Sequence, residues 1–269
     1  DLDVVDLVLP PQFNYEVTEA AAKAGIHVIC EKPIARTPTE GATMIALTQA
    51  FGIQVLIAEN LRYDNAVRQA RSLIDDRVIA PPFMMSYQWM QPVLADDEIA
   101  ARSWRREPIL PGGMLSDHGV HMVDVARFLM GEVAAVQAFA LDLRDYLGGS
   151  DTAVINLQFE SGAIGSIQWS FGVASQQMTR IQLWADDGTL DVGPDAIRLQ
   201  RQGQVEEVFP ISGPSSFVSE FKDFYAALVE GTKPQMTAQD ALQDLRVVLA
   251  AHQSSLTNKV IALDKEQQP

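Results

Sequence analysis

Apolar and polar positions alternate at two different periods along this chain, and the change of period divides it. Val4 to Leu9, His27 to Cys30 and Gln54 to Ala58 are short apolar runs. Between them lie two stretches of helical length, Tyr15 to Ala24 closed by Gly25 and Pro38 to Phe51 closed by Gly52. Runs that are apolar on both faces, separated by helices of about ten to fifteen residues, predict parallel strands covered on both sides.

Beyond Arg62 the texture changes. Ala66 to Ile74 reads as a helix and Phe83 to Met90 as a strand. An irregular stretch then passes through Trp104 and Pro111 to Gly113, and a helix runs from about Ser116 to Met130, where Gly131 stops it. Ala153, Ile155, Leu157 and Phe159 alternate with polar neighbours, Ser161-Gly162 supplies a turn, and Ile167, Trp169 and Phe171 alternate on the return, which predicts a hairpin. Asp187-Gly188 and Gln202-Gly203 mark two more turns of this kind, so the second region is expected to be a mostly antiparallel sheet with the 116–130 helix packed on it. Phe217, Phe221, Phe224, Tyr225 and Leu228 form a helical stripe, and Thr237 with Asp240 resembles a capping box opening a last helix through Ala241, Leu245 and Val248. There is no internal repeat, low-complexity tract or flexible linker. The boundary near residue 60 is therefore expected to be a tight joint between a first domain, 1–60, and a second, 61–269.

Composition narrows the partners. Of 269 residues 47% are hydrophobic and 20% charged, enough apolar material for packed cores. Thirty-five acidic against twenty basic residues give a formal charge of -15, which repels nucleic acid and anionic membrane surfaces at long range and favours a small-molecule partner. No run reaches the roughly 18 apolar residues of a membrane helix. The single cysteine, Cys30, has no partner for an internal bridge, and Asp1-Leu-Asp-Val-Val-Asp lacks the basic start of a signal peptide, so a cytoplasmic setting is expected.

Three sets of residues suit chemistry. Glu31-Lys32-Pro33 follows the second apolar run, and ligand crevices of open parallel sheets lie outside the carboxyl ends of the strands. An ammonium there can hydrogen-bond a substrate oxygen and favour its alkoxide form, while Pro33 stiffens the turn. The second group is Pro111-Gly-Gly-Met-Leu-Ser-Asp-His-Gly-Val-His121. Asp117 and His121 are four apart and share a helix face. Histidine titrates near neutrality and can take a hydroxyl proton, with the aspartate orienting the ring. Gly119 between them suggests a close approach by another group. A structural reading competes, with Asp117 capping the helix and His121 filling its buried face. So does a metal site built from Asp117, His118, His121 and Asp124, although His118 lies about 100° around the helix from Asp117, and His27 and His252 stand alone. Glu59-Asn60-Leu61-Arg62-Tyr63 and Trp104-Arg105-Arg106 place arginines beside aromatics, a combination that can clamp polyhydroxylated or phosphorylated ligands.

In order along the chain, Ala24-Gly-Ile-His-Val-Ile-Cys-Glu-Lys-Pro33, Ala58-Glu-Asn-Leu-Arg-Tyr63, Trp104-Arg105, Gly112-Gly113 leading into Asp117-His-Gly-Val-His121, and Ala241 to Ser254 resemble the glucose-fructose oxidoreductase, inositol dehydrogenase and MocA family. The resemblance implies an α/β fold: the remnant of a parallel Rossmann-type sheet, followed by an α+β domain with a large, open, mostly antiparallel sheet. It implies NAD or NADP as cofactor and hydride transfer with a secondary alcohol of a sugar, polyol or inositol-like substrate. Lys32, Asp117 and His121 would be the catalytic residues, with His121 as acid-base. Pro10, Asn14, Glu31, Lys32, Pro33, Asn60, Trp104 and Arg105 would contact the cofactor. Arg62, Tyr63 and His118 would face the substrate, no metal would be bound, and a homodimer or homotetramer would form through the second sheet. In the first loop, Pro10-Pro-Gln-Phe-Asn-Tyr15, Tyr15 stands where the family has a histidine.

A larger departure is that no G-x-G-x-x-G, the loop that cradles a dinucleotide pyrophosphate, occurs in the sequence. The expectation is an N-terminally truncated chain lacking on the order of 60 residues, about two βαβ units, so that the three runs are strands 4, 5 and 6 of the usual order and the first lacks its inner neighbour. Two alternatives stand beside the dehydrogenase: a non-catalytic binding or scaffold protein derived from the family, and a glycosidase in which bound NAD oxidises a sugar transiently to permit elimination.

Overall fold

The computed structural model describes residues 2–107, 109–174 and 177–263. Strand β1 (Val4–Leu7), helix α1 (Asn14–Lys23), β2 (His27–Glu31), α2 (Pro38–Phe51) and β3 (Val55–Ala58) follow one another as the hydrophobic pattern predicts. The strands pair in the order β1-β2-β3, all parallel, with β1 at an edge. Local chemistry sets the ends of α2. Thr37 accepts a hydrogen bond from the amide of Glu40, Pro38 opens the first turn, and Gly52 closes the helix with φ 65°, a left-handed conformation that glycine adopts without a Cβ penalty.

A 3-10 turn (Asn60–Tyr63) leads to α3 (Asn65–Asp75), whose first amides bond to the side chain of Asp64. There follow β4 (Met84–Met90), two single-turn helices, α4 (Glu98–Ala101) and α5 (Ser103–Arg106), and the long α6 (Met114–Met130). Then come β5 (Val133–Leu141), β6 (Thr152–Phe159), β7 (Ile164–Ser170), β8 (Met178–Ala185), β9 (Gly188–Val192), β10 (Ala196–Gln200) and β11 (Glu207–Pro210). Helices α7 (Ser216–Glu230) and α8 (Ala238–Thr257) and the short β12 (Ile261–Ala262) complete the described chain. The second sheet has nine strands in the order β11-β10-β9-β8-β4-β7-β6-β5-β12. Its pairings are antiparallel except β4 with β7. The three turns expected at Ser161-Gly162, Asp187-Gly188 and Gln202-Gly203 connect β6 to β7, β8 to β9 and β10 to β11.

Helix α6 lies against one face of this sheet and is buried along nearly its whole length, Phe128 excepted. It starts two residues before the expected Ser116, because Gly113, at φ 58°, turns the chain and its carbonyl accepts from the amides of Ser116 and Asp117. Gly113 has no room for a side chain: a Cβ there would stand 1.8 Å from the carbonyl oxygen of Gly148. The close approach expected at Gly119 comes from α8, whose Val248 would lie 3.4 Å from a Cβ at that position.

Helix α8 opens with the predicted capping box of Thr237 and Asp240 and has two apolar faces. Ala238, Ala241 and Leu245 join the core of the parallel sheet, whereas Val247, Val248 and Ala251 join the core of the large one. Phe224 of α7 also packs into the first core. The carboxyl ends of β2 and β3 are thereby set against the amino-terminal half of α6. Among the described residues no helix is long and apolar enough to cross a membrane.

Candidate active site

Lys32 follows directly on β2, in a turn that Asn14 ties down. The buried Asn14 amide donates to the carbonyls of Glu31, at 3.0 Å, and Pro33, at 3.1 Å, and the Lys32-Pro33 peptide is cis. The Lys32 ammonium crosses to α6, donating to the Asp117 carbonyl at 2.6 Å and to its Oδ1 at 2.9 Å. An ammonium has three donors, so one stays available for a ligand oxygen. Arg105, on α5, donates from Nε to Asp117 Oδ2 at 2.8 Å and lies over the Trp104 ring at 4.5 Å. Its own position is fixed by Gly148, whose amide donates to the Arg105 carbonyl. Burial alone would raise the Asp117 carboxyl, but Lys32, His118 and Arg105 outweigh it and hold the group well below the usual carboxylate range.

His121 is one turn further along α6. Its Nδ1 meets Oε2 of Glu59, the residue after β3, at 2.5 Å. Its Nε2 takes no partner among the described residues and is not sealed from solvent. Burial, reinforced by Lys32, pushes the imidazolium down to about 3, so the ring is neutral through the physiological range. Burial also raises the Glu59 carboxyl well above its ordinary value, with Asp124 adding to the effect. His118, 3.1 Å from Asp117 Oδ2 through Nδ1, packs edge-on against Phe171 and is pushed down to about 4 by burial, against the pull of Asp117.

The structure thus brings Lys32, Asp117, His118, His121, Trp104 and Arg105 to one place, at the carboxyl ends of the parallel strands. Several expectations need correction. Asp117 does not orient the His121 ring, because both its oxygens are engaged by Lys32 and Arg105; Glu59 orients it instead. Glu59 was legible only as a carboxylate at the end of the third apolar run, the position that marks Lys32 on the second. Arg62 and Tyr63 are buried and bonded to protein groups. The Arg62 guanidinium, 5% exposed, grips Asp124 through Nε and Nη2, donates to the Gln235 carbonyl at 2.9 Å and lies 5.5 Å over the Phe128 ring. Tyr63 is fully buried, donates to Asp223 at 2.8 Å and accepts from the Met236 amide. Asn14 offers no free donor to a cofactor, because its amide holds the Lys32 turn, and Asn60 donates to the Ser216 hydroxyl at 3.3 Å. Pro10 precedes a 3-10 turn, Pro11–Phe13, beyond β1. The four residues of the metal alternative are drawn apart, with Asp124 on Arg62, His121 on Glu59 and Asp117 shared by Lys32, Arg105 and His118, and the described residues hold no grouping of three ligands suited to a metal ion.

The donor set suits the nicotinamide end of a dinucleotide: Lys32 with one free donor, a bare imidazole nitrogen, and the Trp104-Arg105 pair beside a small hollow lined by Leu110, Met114 and Asp117. Comparison with known proteins agrees. The model of the GFO/IDH/MocA C-terminal domain matches residues 67–191, and that of the oxidoreductase family's NAD-binding Rossmann fold matches residues 1–58. An oxidoreductase from Thermotoga maritima of known crystal structure superposes with a TM-score of 0.89 at 31% identity, over 97% of this chain and 78% of its own. The chain belongs to the Gfo/Idh/MocA family. Among other relatives, D-apiose dehydrogenase of Paraburkholderia graminis is 27% identical over 97% of this chain and 73% of its own length. D-xylose 1-dehydrogenase (NADP(+)) 2 of Haloferax volcanii is 27% identical over 98% of this chain and 81% of its own. Membership accounts for both sheets, the small parallel one and the large mixed one.

Proposed function

We propose that this member of the family is an NAD(P)-dependent dehydrogenase that removes hydride from a secondary alcohol of a sugar, polyol or inositol-like substrate. The observation that carries the reading is the pairing, across the joint between the two sheets, of Lys32 with Asp117, beside a neutral His121 whose Nε2 is unoccupied. The names of the relatives, dehydrogenases of apiose and xylose, supply the substrate class.

In this reading residues 1–60 carry the nicotinamide-facing sheet, and 61–269 carry the substrate side and a sheet through which copies of the chain associate. Glu31, Lys32, Pro33, Trp104 and Arg105 border the nicotinamide, which supplies the hydride acceptor when bound. His121 Nε2 accepts the hydroxyl proton as the alcohol is oxidised. The free donor of Lys32 stabilises the oxygen as negative charge develops, and Asp117, tied between Lys32 and Arg105, keeps that ammonium aimed. His118 lines the same space, and the free Cys30 suits a cytoplasmic setting.

Titration with NAD and NADP, followed by a panel of aldoses, polyols and inositols monitored by nicotinamide absorbance, tests the reading. Turnover that collapses in His121→Ala while dinucleotide affinity holds supports it. Turnover unchanged in that variant refutes the assignment of His121; binding only in a version extended upstream by a glycine-rich strand-turn-helix keeps the dehydrogenase reading, and absence of dinucleotide binding in both forms leaves the scaffold reading in its place.

A further inference from the structure

The Glu59–His121 pair differs from the other buried ion pairs of the molecule in its charge balance. Asp117 has Lys32 and Arg105, Asp124 has Arg62, and Asp244 has Arg127. Glu59, at 1% exposure, has no lysine or arginine in ion-pair contact among the described residues; its one close partner is an imidazole. The groups that face the pair come from every element around it. They are Lys32 and Glu31 from the end of β2, Arg62 from the 3-10 turn, Asp117 and Asp124 from α6 with the His118 ring 6.5 Å from that of His121, Glu220 from α7 and Asp244 from α8. Carboxylates outnumber cations in this set. A further negative charge on Glu59 is therefore poorly compensated, while Lys32 opposes a positive charge on the ring.

We infer that Glu59 is the positioning residue of His121 and also the second proton site of the pair. In the resting state Glu59 accepts from Nδ1–H, which leaves Nε2 bare. A proton that arrives at Nε2 sends the Nδ1 proton onto Glu59 Oε2, so the ring changes tautomer and does not become a cation.

The alternative, an imidazolium beside a carboxylate, places two desolvated charges where the shifted arrangement places none, and in a medium of low effective dielectric constant each desolvated charge is costly. The directions noted for the two groups agree: burial disfavours the charged form of each. For alcohol oxidation the balance is complete. The substrate O–H bond breaks and an Nε2–H bond forms, the Nδ1–H bond breaks and an O–H bond forms on Glu59, and the hydride departs separately to an oxidised nicotinamide dinucleotide. The negative charge that rests on the pair before the step is neutralised by the proton taken up. The inference rests on the dehydrogenase reading for its substrate, but the measurement that checks it needs neither substrate nor cofactor.

That measurement is ring 15N NMR of the full chain labelled at its four histidines, titrated from about pH 9 towards the acid limit of the fold and assigned with His121→Asn. The expected wild-type result is Nδ1 protonated and Nε2 bare at high pH, with a far-downfield Nδ1 proton, passing on acidification to Nε2 protonated and Nδ1 bare. In Glu59→Gln, whose amide cannot take the proton, that exchange of tautomers should vanish, and in Glu59→Asp it should return. A doubly protonated His121 ring in the folded wild type, or a ring that keeps one tautomer throughout, overturns the inference, as does the same titration in Glu59→Gln as in the wild type. Should the Gln variant fail to fold, the wild-type titration decides alone. A chain that exchanges tautomers yet never oxidises an alcohol keeps this inference and loses the dehydrogenase reading.

Discussion

Replacing Arg62 separates a ligand contact from a structural one. In Arg62→Met the guanidinium over the Phe128 ring is replaced by an apolar group of similar reach, and Asp124 loses both guanidinium bonds to Oδ1, its other oxygen, Oδ2, being already without a partner. The carbonyl of Gln235 loses its donor as well. Removing one partner of a buried ion pair costs about 3–5 kcal/mol, because the remaining charge stays desolvated. For a chain of this length that corresponds to a fall in melting temperature of about 6–20 °C. Differential scanning calorimetry at neutral pH reads it directly. The companion variant Arg62→Met/Asp124→Leu removes both charges, and a neutral apolar pair in that position should recover most of the loss. Activity measured well below the melting transition should change only a few-fold, with the KM for the alcohol nearly constant. A single variant that melts within about 2 °C of the wild type while its KM rises tenfold or more would refute the argument and return Arg62 to the substrate pocket.

Three other outcomes follow from local geometry. Asn14→Ala leaves the Pro33 carbonyl without its Asn14 donor and the Glu31 carbonyl with the weak Cys30 thiol, so urea denaturation should show a loss of about 1–3 kcal/mol, and kcat should fall because the turn that carries Lys32 loosens. Gly113→Ala drives a Cβ into the Gly148 carbonyl, and because Gly148 also holds Arg105, limited proteolysis should cut between residues 103 and 113 in the variant and not in the wild type. Glu220 is buried, has one oxygen without a partner and faces Glu31 and Glu59; burial first, then those neighbours, raises its carboxyl to about 8. A carboxyl raised on folding binds more protons in the native than in the unfolded state, so its contribution to stability is lost as pH rises from the unfolded value of about 4.5 towards 8. Glu220→Gln should therefore gain stability relative to the wild type at pH 8 compared with pH 5, by a few kcal/mol at about 1.4 kcal/mol for each pH unit. Equal pH dependence of the two melting curves would contradict it.

The strands and helices of residues 1–60 were legible because both kinds of element declare themselves through a single variable, the period of apolar positions, and glycines closed both helices where expected. The hairpins were legible from turn chemistry at Gly162, Gly188 and Gly203. The parallel pairing of β4 with β7 was not, since strand partners far apart in sequence leave no local trace. Lys32, Asp117 and His121 could be picked out from their positions at strand ends and on one helix face. The partner of His121 could not. Four-residue spacing on α6 pointed to Asp117, but that carboxylate is drawn away by Lys32, 85 residues distant in sequence, and Glu59 takes its place from 62 residues away. Arg62 and Tyr63 show another limit: an arginine beside an aromatic reads as a clamp for a ligand, and only the fold reveals that Asp124 and Asp223 bond to them.

Helix α8, with one apolar face in each core, contributes none of the site residues named above, yet it spans the joint across which they meet. On a ribosome, Lys32, Glu59, Asp117 and His121 would all emerge well before residues 238–257, and until that helix docks one core lacks Ala241 and Leu245 and the other lacks Val248. Assembly of the proposed catalytic group is therefore expected only after residues 238–257 have been made, and damage to that helix should scatter Lys32, Glu59, Asp117 and His121 while all four side chains are still present.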